Sequence, residues 1–565
     1  MPALIKDWQI PPRLPAEAYE ALHAYPPILR QILYNRGYAD AEAARDYLEG
    51  QPPAGTQPSD LSGMPAAVDR IAYAIERREA IVIYGDYDTD GVTATVLLVQ
   101  ALKALGGNVR GYIPNRFDEG YGLNKEALTA LAEAGVELVI TVDCGIRSIP
   151  EAEHAQRAGL DLIITDHHHP TEVLPPAHAI INPKQPGDTY PDKDLAGVGL
   201  AYKLACALLE RFRPPAADLQ AELLLDLVAL GTVADMAPLV GENRALVRSG
   251  LNAIRRPQRQ GLRSLIGVSG LKPERIQASD IGFALGPRLN AAGRLDSALA
   301  AYELLSTRDV QVAGGLAQKL EIQNRERQSI TREMQAQAEQ IALAGDPDAL
   351  LLFAAHPDFN PGVVGLVASR LTEAYYRPAI VAQLGEQFTR GSCRSIREFH
   401  ITDALDECTE LLEHHGGHAA AAGFTVRSEN LPELIARLQA IAARQLGGMA
   451  LRPSLAADLD LPLKDLRPEL LEWLERLQPT GYGNPQAYFV SRGVRVDNAR
   501  SVGRDSSHLK LTVSDGGIYF DAIAFRQGHW LGQLPTRVDL LYAFETNEFN
   551  GRTSLQLNVR DIKAS

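Results

Sequence analysis

The chain reads as an α/β protein in successive units: a doubly wound parallel sheet, a second α/β unit reached through one long helix, and a C-terminal all-β barrel of OB type. Three observations carry this. From Ala80 onward, short apolar runs alternate with helix-length segments, the pattern of a parallel sheet wrapped by helices. Residues 312–343 are long, charged and free of proline, as one connecting helix requires. Residues 486–565 break into five short alternating strands divided by turns such as Asp515-Gly516-Gly517.

Taken in order, residues 1–60 form a helical segment punctuated by proline and closed by the loop QPPAGTQPSD. The first α/β unit spans 61–300. Its predicted strands are Ile81–Tyr84, Val109–Ile113, Leu138–Val142, Leu162–Thr165 and Ala179–Ile181, with helices over Lys125–Ala134, Ile149–Ala158, Val198–Phe212 and Ala221–Asp235 between or after them. A connecting helix covers 301–345, a second α/β unit 346–450 and a linker region 451–485. The β module, 486–565, ends the sequence. A chain of 565 residues is too long for one core, which agrees with several units.

Composition excludes some classes. The four cysteines, Cys144, Cys206, Cys393 and Cys408, show no CxxC spacing, so neither a zinc cage nor a disulfide framework is expected, and a reducing cytoplasm fits. The first residues lack the basic-then-apolar layout of a secretion signal, and the most apolar helices carry Lys203, Asp226 and Asp235, so no membrane span is expected. Net charge is −14, which alone argues against a polyanionic partner. The distribution argues otherwise: residues 241–300 hold ten Lys and Arg against four Asp and Glu, a plausible phosphate track. Within it, Arg288, Asn290 and Arg294 of GPRLNAAGRLD are candidate contacts to a nucleic-acid backbone.

The chemistry concentrates at the ends of apolar runs. IVIYGDYDTDG (81–91) places Asp86, Asp88 and Asp90 at alternate positions between Gly85 and Gly91. Asp143 follows ELVITV, Asp166-His167-His168-His169 follows LDLIIT, and Asp235 closes the apolar stretch LVALGTVADM. In a parallel sheet such ends meet at one edge, where open α/β sheets bind ligands. Asp88, Asp90, Asp143, His167 and Asp235 could then surround one cavity. Mixed carboxylate and imidazole ligands suit Mn²⁺ or Mg²⁺, and their number suits two ions bridged by an aspartate, Asp143. Each piece alone is as well explained by a helix cap or an acidic turn; four together are not.

At this point GDYDTDG, TVDCG, TDHH and GTVADM, in this order, resemble the four motifs of the DHH phosphoesterase superfamily, and GGHAAAAG (416–423) resembles the glycine-rich motif of its DHHA1 partner domain. HPDFNPGVVGLVASRL (356–371), RSIREFH (394–400), GPRLNAAGRLD and PTGYGNP (479–485) are similar to the single-strand-specific 5′→3′ exonucleases of that superfamily. The resemblance implies hydrolysis of single-stranded DNA to 5′-mononucleotides by two metal ions, in recombination and repair. It implies metal ligation by Asp88, Asp90, Asp143, His167 and Asp235, with Asp86 in the outer shell, Asp166 orienting His167, and His168 on the scissile phosphate. It further implies phosphate contacts from Arg394, Ser395, Arg397 and His418, with Gly416 and Gly417 letting the backbone approach.

The same resemblance suggests cooperation with a helicase and a single-strand-binding protein, and a monomer is expected. Candidate stacking aromatics in the β module are Tyr488, Phe489, Tyr519, Phe520, Phe525, Trp530 and Phe544, about half of which the alternation assigns to the barrel core. Two other readings compete: a phosphodiesterase of the same superfamily acting on short oligonucleotides or cyclic dinucleotides, and a catalytically inactive nucleic-acid scaffold. The acidic loop FDEGYGL (117–123) has no assigned role.

Overall fold

The computed structural model describes residues 4–115, 119–120, 122–212, 219–503, 505–549 and 551–565. Phe117, Asp118 and Tyr121 of the acidic loop lie outside the described residues. Two compact units divide the chain: one combines 9–321 with 456–565, the other 1–8 with 322–455.

In the larger unit, strands β1 (Ala80–Gly85), β2 (Asn108–Tyr112), β3 (Leu138–Val142), β4 (Asp161–Thr165) and β5 (Ala179–Ile181) form an all-parallel sheet in the order β2-β1-β3-β4-β5. Every residue of β3 is buried, as continuous Val, Ile and Leu runs in a sheet covered on both faces should be. Helix α1 (Thr89–Ala104) is apolar almost all round and lies inside the core, against α2 (Gly197–Phe212) and α3 (Leu225–Ala234). Because β1, β3 and β4 are adjacent and parallel, their carboxyl ends open on one edge.

The barrel belongs to the same unit. Its strands Phe489–Val502, His508–Asp515, Ile518–Ala524, Arg537–Phe549 and Arg552–Ala564 pair in sequence order up to the third, which pairs in parallel with the fifth. The fifth pairs with the fourth and the fourth returns to the first, closing the barrel. Phe489, Phe520 and Phe544 are buried in its core; Tyr519 and Phe525 are exposed. The N-terminal helices share that core: Leu29, Ile32, Leu33, Tyr47 and Leu48 pack in one cluster with Phe489, Leu509 and Tyr542.

The PTGYGNP segment joins the pieces. Asn484 accepts hydrogen bonds from Arg36 Nη1 (2.7 Å) and Tyr47 Oη (2.8 Å), and Leu239 N–H donates to the Tyr482 carbonyl (2.7 Å). Arg244, 2% exposed, donates to the carbonyls of Arg476, Leu477 and Pro479 while its guanidinium covers the Tyr47 ring at 4.1 Å. A buried cation met by several carbonyls and an aromatic face is satisfied without a carboxylate.

In the smaller unit, strands Leu352–His356 and Ala379–Gln383 run parallel, and Phe388–Arg394, Ala421–Arg427 and Leu412–His418 continue the sheet antiparallel. GGHAAAAG is thus a β-hairpin, with Gly416 paired with Gly423 and His418 with Ala421. The long helix runs Val310–Gly345. Among the described residues, no helix is long and apolar enough to cross a membrane.

Candidate metal centre

The site is built where β1, β3 and β4 end. Asp86 follows β1. Asp88 caps α1, its Oδ1 accepting from Gly91 N–H at 3.1 Å, so the capping role and a place in the cluster coexist. Asp90 sits in the first turn, fully buried; its Oδ2 accepts from Gly197 N–H (2.7 Å) and its Oδ1 from Val198 N–H (2.9 Å), at the amino end of α2. Gly197 is obligatory here: a Cβ would lie 2.7 Å from Asp143 Cβ and 3.0 Å from Asp90 Oδ2. The sequence holds a signal for this in AGVG (196–199), glycines at the start of a helix, which motif reading passed over.

Asp143 follows β3 in the left-handed region, φ +63°, a conformation costly for a residue with a side chain. Its N–H donates to the Thr165 carbonyl at 3.0 Å, so the turn serves to aim the carboxylate and caps no helix. His167 Nε2 lies 3.0 Å from Asp143 Oδ1, 3.8 Å from Asp235 Oδ2 and 4.0 Å from Asp90 Oδ2. Asp235 ends the helix α3, as the predicted helix Ala221–Asp235 has it; its position at the sheet edge comes from helix packing. The next residue, Met236, takes the left-handed position that closes a helix, φ +63°, with Ala237 N–H donating to Thr232 and Met236 N–H to Val233.

Asp166 orients His168 rather than His167, the reverse of the expected arrangement. Its Oδ1 accepts from His168 N–H (3.0 Å) and His168 Nδ1 (2.7 Å), and its Oδ2 from Ile146 N–H (3.0 Å). Backbone carbonyls of the loop are pinned as well: Lys184 donates to His167 O at 2.7 Å, Asn182 to His168 O at 2.9 Å, and Arg147 to His169 O at 2.7 Å. None of these three donors was foreseen from sequence, because they act through the backbone.

Electrostatics follow from crowding. Burial and then the Asp88 charge push the Asp90 carboxyl up to about 7; burial and then the Asp90 charge push Asp235 up to about 9; burial and then Asp90 raise Asp143 as well. Burial first, and the charge of His168 second, depress His167 to about 3. Burial would lower His168, but the hydrogen bond and charge of Asp166 raise it; burial would raise Asp166, but the same bond together with the charges of His168 and His167 holds it low.

Three sets of atoms, each within 4.8 Å of one another, fit a cation: Asp86, Asp88 and Asp143; Asp90, His167 and Asp235; and Asp143, His167 and His168. Asp86 stands in one of these sets, with Asp88 and Asp143. Asp143 Oδ1 and His167 Nε2 are buried, face each other and make no hydrogen bond. Carboxylates and neutral imidazole, held against mutual repulsion with lone pairs converging, are the donor set of Mn²⁺ or Mg²⁺.

The residues expected on the nucleic-acid backbone divide. Asn290 Oδ1 accepts from Thr89 N–H (2.8 Å) and Thr89 Oγ1 (2.7 Å), which fixes the start of α1 between Asp88 and Asp90. Arg288 pairs with Glu321 (2.7 Å) and donates to the Ala284 carbonyl (2.8 Å), so it is a strut, not a free phosphate contact. Arg294 is half-buried on the same helix, Gly286–Leu295.

In the smaller unit, Arg394 donates to Ser392 Oγ (3.1 Å) and the Cys393 carbonyl (2.7 Å), pairs with no carboxylate among the described residues, and is lowered in pKa by burial. It lies beside the first turn of helix Val364–Tyr375, where a Cβ on Gly365 would come within 3.0 Å of its Nη2. Ser395 Oγ donates to the Phe399 carbonyl (2.6 Å), Arg397 pairs with Glu398 (3.0 Å), and Gly416, Gly417 and His418 are exposed on the hairpin.

A parallel sheet with clustered aspartates and histidine at its edge, a second mixed α/β unit and a closed β-barrel define a DHH-type phosphoesterase with an added nucleic-acid-binding module. Family models agree: the DHH family N-terminal domain matches residues 80–232, the DHHA1 domain 348–444 and the RecJ OB domain 457–561. The chain belongs to the RecJ family of single-stranded-DNA-specific exonucleases. It is 40% identical over 550 residues to the RecJ of Bacillus subtilis, covering 97% of this chain and 69% of that one, and 37% identical to that of Escherichia coli, covering 95% and 96%. The RecJ of Thermus thermophilus in complex with Mn²⁺ superposes with a TM-score of 0.85 at 32% identity, covering 99% of this chain and 80% of the other; its Mg²⁺ complex gives 0.80.

Proposed function

We propose that this protein is a metal-dependent 5′→3′ exonuclease that releases 5′-mononucleotides from single-stranded DNA. The observation that carries the reading is the convergence of five aspartates and His167 into overlapping three-residue sets, on a chain of this family. Asp86, Asp88, Asp90, Asp143, His167 and Asp235 would hold two divalent ions, Asp143 shared between them. Such ions, when bound, lower the pKa of a water and offset charge on the phosphate.

The chain's own groups do the rest. Asp166 fixes the ring of His168 so that its other nitrogen faces the mouth of the site and donates to a phosphate oxygen. Asn290 holds Thr89, and with it the spacing of Asp88 and Asp90. Arg394, half-buried beside a helix amino end and paired with no carboxylate among the described residues, is suited to a phosphate of the entering strand by two parallel hydrogen bonds. Arg294, His418 and the exposed Arg397 are further backbone contacts. Tyr519 and Phe525, exposed on the barrel, are suited to stack on bases upstream.

We assign the protein to the cytoplasm, as a monomer working with a helicase and a single-strand-binding protein in recombination and repair. The test is Mn²⁺-dependent digestion of end-labelled single- and double-stranded DNA, with Asp143→Ala as control. Release of labelled mononucleotide from the 5′ end of single strands supports the reading. Release from the 3′ end, equal attack on duplex, or full activity of the control overturns it.

A further inference from the structure

The helix bearing GPRLNAAGRLD is entered through a π-helical turn, Ile281–Leu285, and that turn does something unusual with its side chains. Ile281 and Leu285 are buried, whereas Phe283 is 88% exposed. One exposed aromatic needs no explanation. This one has a companion: Met236, 68% exposed, occupies the left-handed closing position after Asp235, which glycine usually fills. The two elements touch. A Cβ on Gly282 would lie 3.8 Å from Val233 Cγ1, and one on Gly286 3.1 Å from Ala234 Cβ, both in the last turn before Asp235.

The turn is also braced. A π-turn leaves a carbonyl out of the helical ladder. Here Ala284 O is met by Arg288, which is tied to Glu321. Further along the same helix, Asn290 grips Thr89, between two of the aspartates. The segment therefore touches both helix ends that supply Asp88, Asp90 and Asp235, and it carries the exposed Phe283. Two large apolar side chains, one on a π-turn packed against the last turn before Asp235 and one in the left-handed position just after Asp235, are a ready surface for a flat apolar group.

We infer that Phe283, together with Met236 on the neighbouring element, is the platform on which a nucleobase flanking the scissile phosphodiester stacks. The inference rests on the proposed nuclease function and names a specificity element of the same site: a π-face that accepts any base and holds the nucleotide in register.

The test compares wild type, Phe283→Ala and Phe283→Trp on single-stranded DNA whose terminal nucleotide, or the one behind it, is intact or abasic. Phe283→Ala is expected to lose roughly 5- to 100-fold in kcat/KM, chiefly through KM, with Phe283→Trp near wild type. One of the abasic substrates should cost wild type a similar factor and cost Phe283→Ala nothing more. The added indole of Phe283→Trp should be quenched by intact but not by that abasic DNA. Equal kinetics of Phe283→Ala and wild type, or losses from the variant and both abasic sites that multiply, overturn the platform. A failure of the nuclease reading is seen separately, in wild type that binds Mn²⁺ and leaves intact single strands uncut, and it removes the platform with it.

Discussion

Two clusters of buried charge lie in the larger unit, and they are built on opposite terms. In one, Lys203 pairs with Glu242 and donates to the Thr56 carbonyl, Tyr190 donates to the same carboxylate, and Glu242 N–H donates to Asp192 at 2.7 Å. The buried lysine and glutamate there answer each other within the chain. In the other, five aspartates converge on His167, an imidazole that burial and the His168 charge keep neutral, while His168 itself is tied to Asp166. A buried carboxylate without a cation is costly. The first cluster is complete as folded; the second is complete only with divalent ions.

The largest way to break the comparison is Asp143→Asn. Asparagine tolerates the left-handed turn, so the fold should survive. Nuclease activity should fall on the order of 10³-fold. The metal-free variant should melt above metal-free wild type, because one of the repelling carboxylates is gone, and the rise in Tm on adding Mn²⁺ should shrink. Calorimetric melts with and without Mn²⁺ read both; a lower metal-free Tm with Mn²⁺ response intact would remove the distinction.

Lys203→Met should do the opposite. Stranding Glu242 should cost about 3–5 kcal/mol by urea titration, with no recovery from Mn²⁺ beyond that of wild type. Next in size, Asp166→Asn should lower the rate roughly 10- to 100-fold by freeing the His168 ring, while Mn²⁺ binding measured by calorimetry stays near wild type. A lost metal site would mean that Asp166 serves ligation, not orientation.

The smallest effect sharpens the first cluster. Burial raises the Glu242 pKa above its ordinary 4.5, despite Lys203. A group raised on folding adds stability below its unfolded value that is lost as pH climbs through the folded value. Stability of Glu242→Gln, which does not titrate, should therefore gain on wild type as pH rises from about 4 upward. A gap that is constant or narrows the other way in pH-dependent urea melts would mean the carboxylate is charged throughout.

Much of this was legible in the residues. Strands Leu138–Val142 and Ala179–Ile181 fall where the apolar runs place them, and the others differ by one residue at one or both ends, because buried parallel strands leave an uninterrupted apolar signature. The aspartates and His167 were legible as a set because strand ends in a parallel sheet share an edge. Contacts that cross between elements were not. That Asn290 serves Thr89, that Arg288 braces a carbonyl, and that Asp166 reaches His168 depend on which helix packs on which. That GGHAAAAG forms a hairpin was not legible, because glycine and alanine carry no periodicity. Asp235 was legible as the end of the helix predicted over Ala221–Asp235, but not the packing that brings that end to the sheet edge.

By itself, then, the sequence determined the order of strands and helices, the barrel at the end and which acidic and imidazole side chains gather at the sheet edge, since hydrophobic spacing and charge are local properties. Only the tertiary structure decided which backbone amides hold Asp90, which histidine Asp166 serves, and that Phe283 and Met236 stand uncovered beside Asp235. Those are matters of which surfaces meet, and close packing settles them over distances that no run of neighbouring residues encodes.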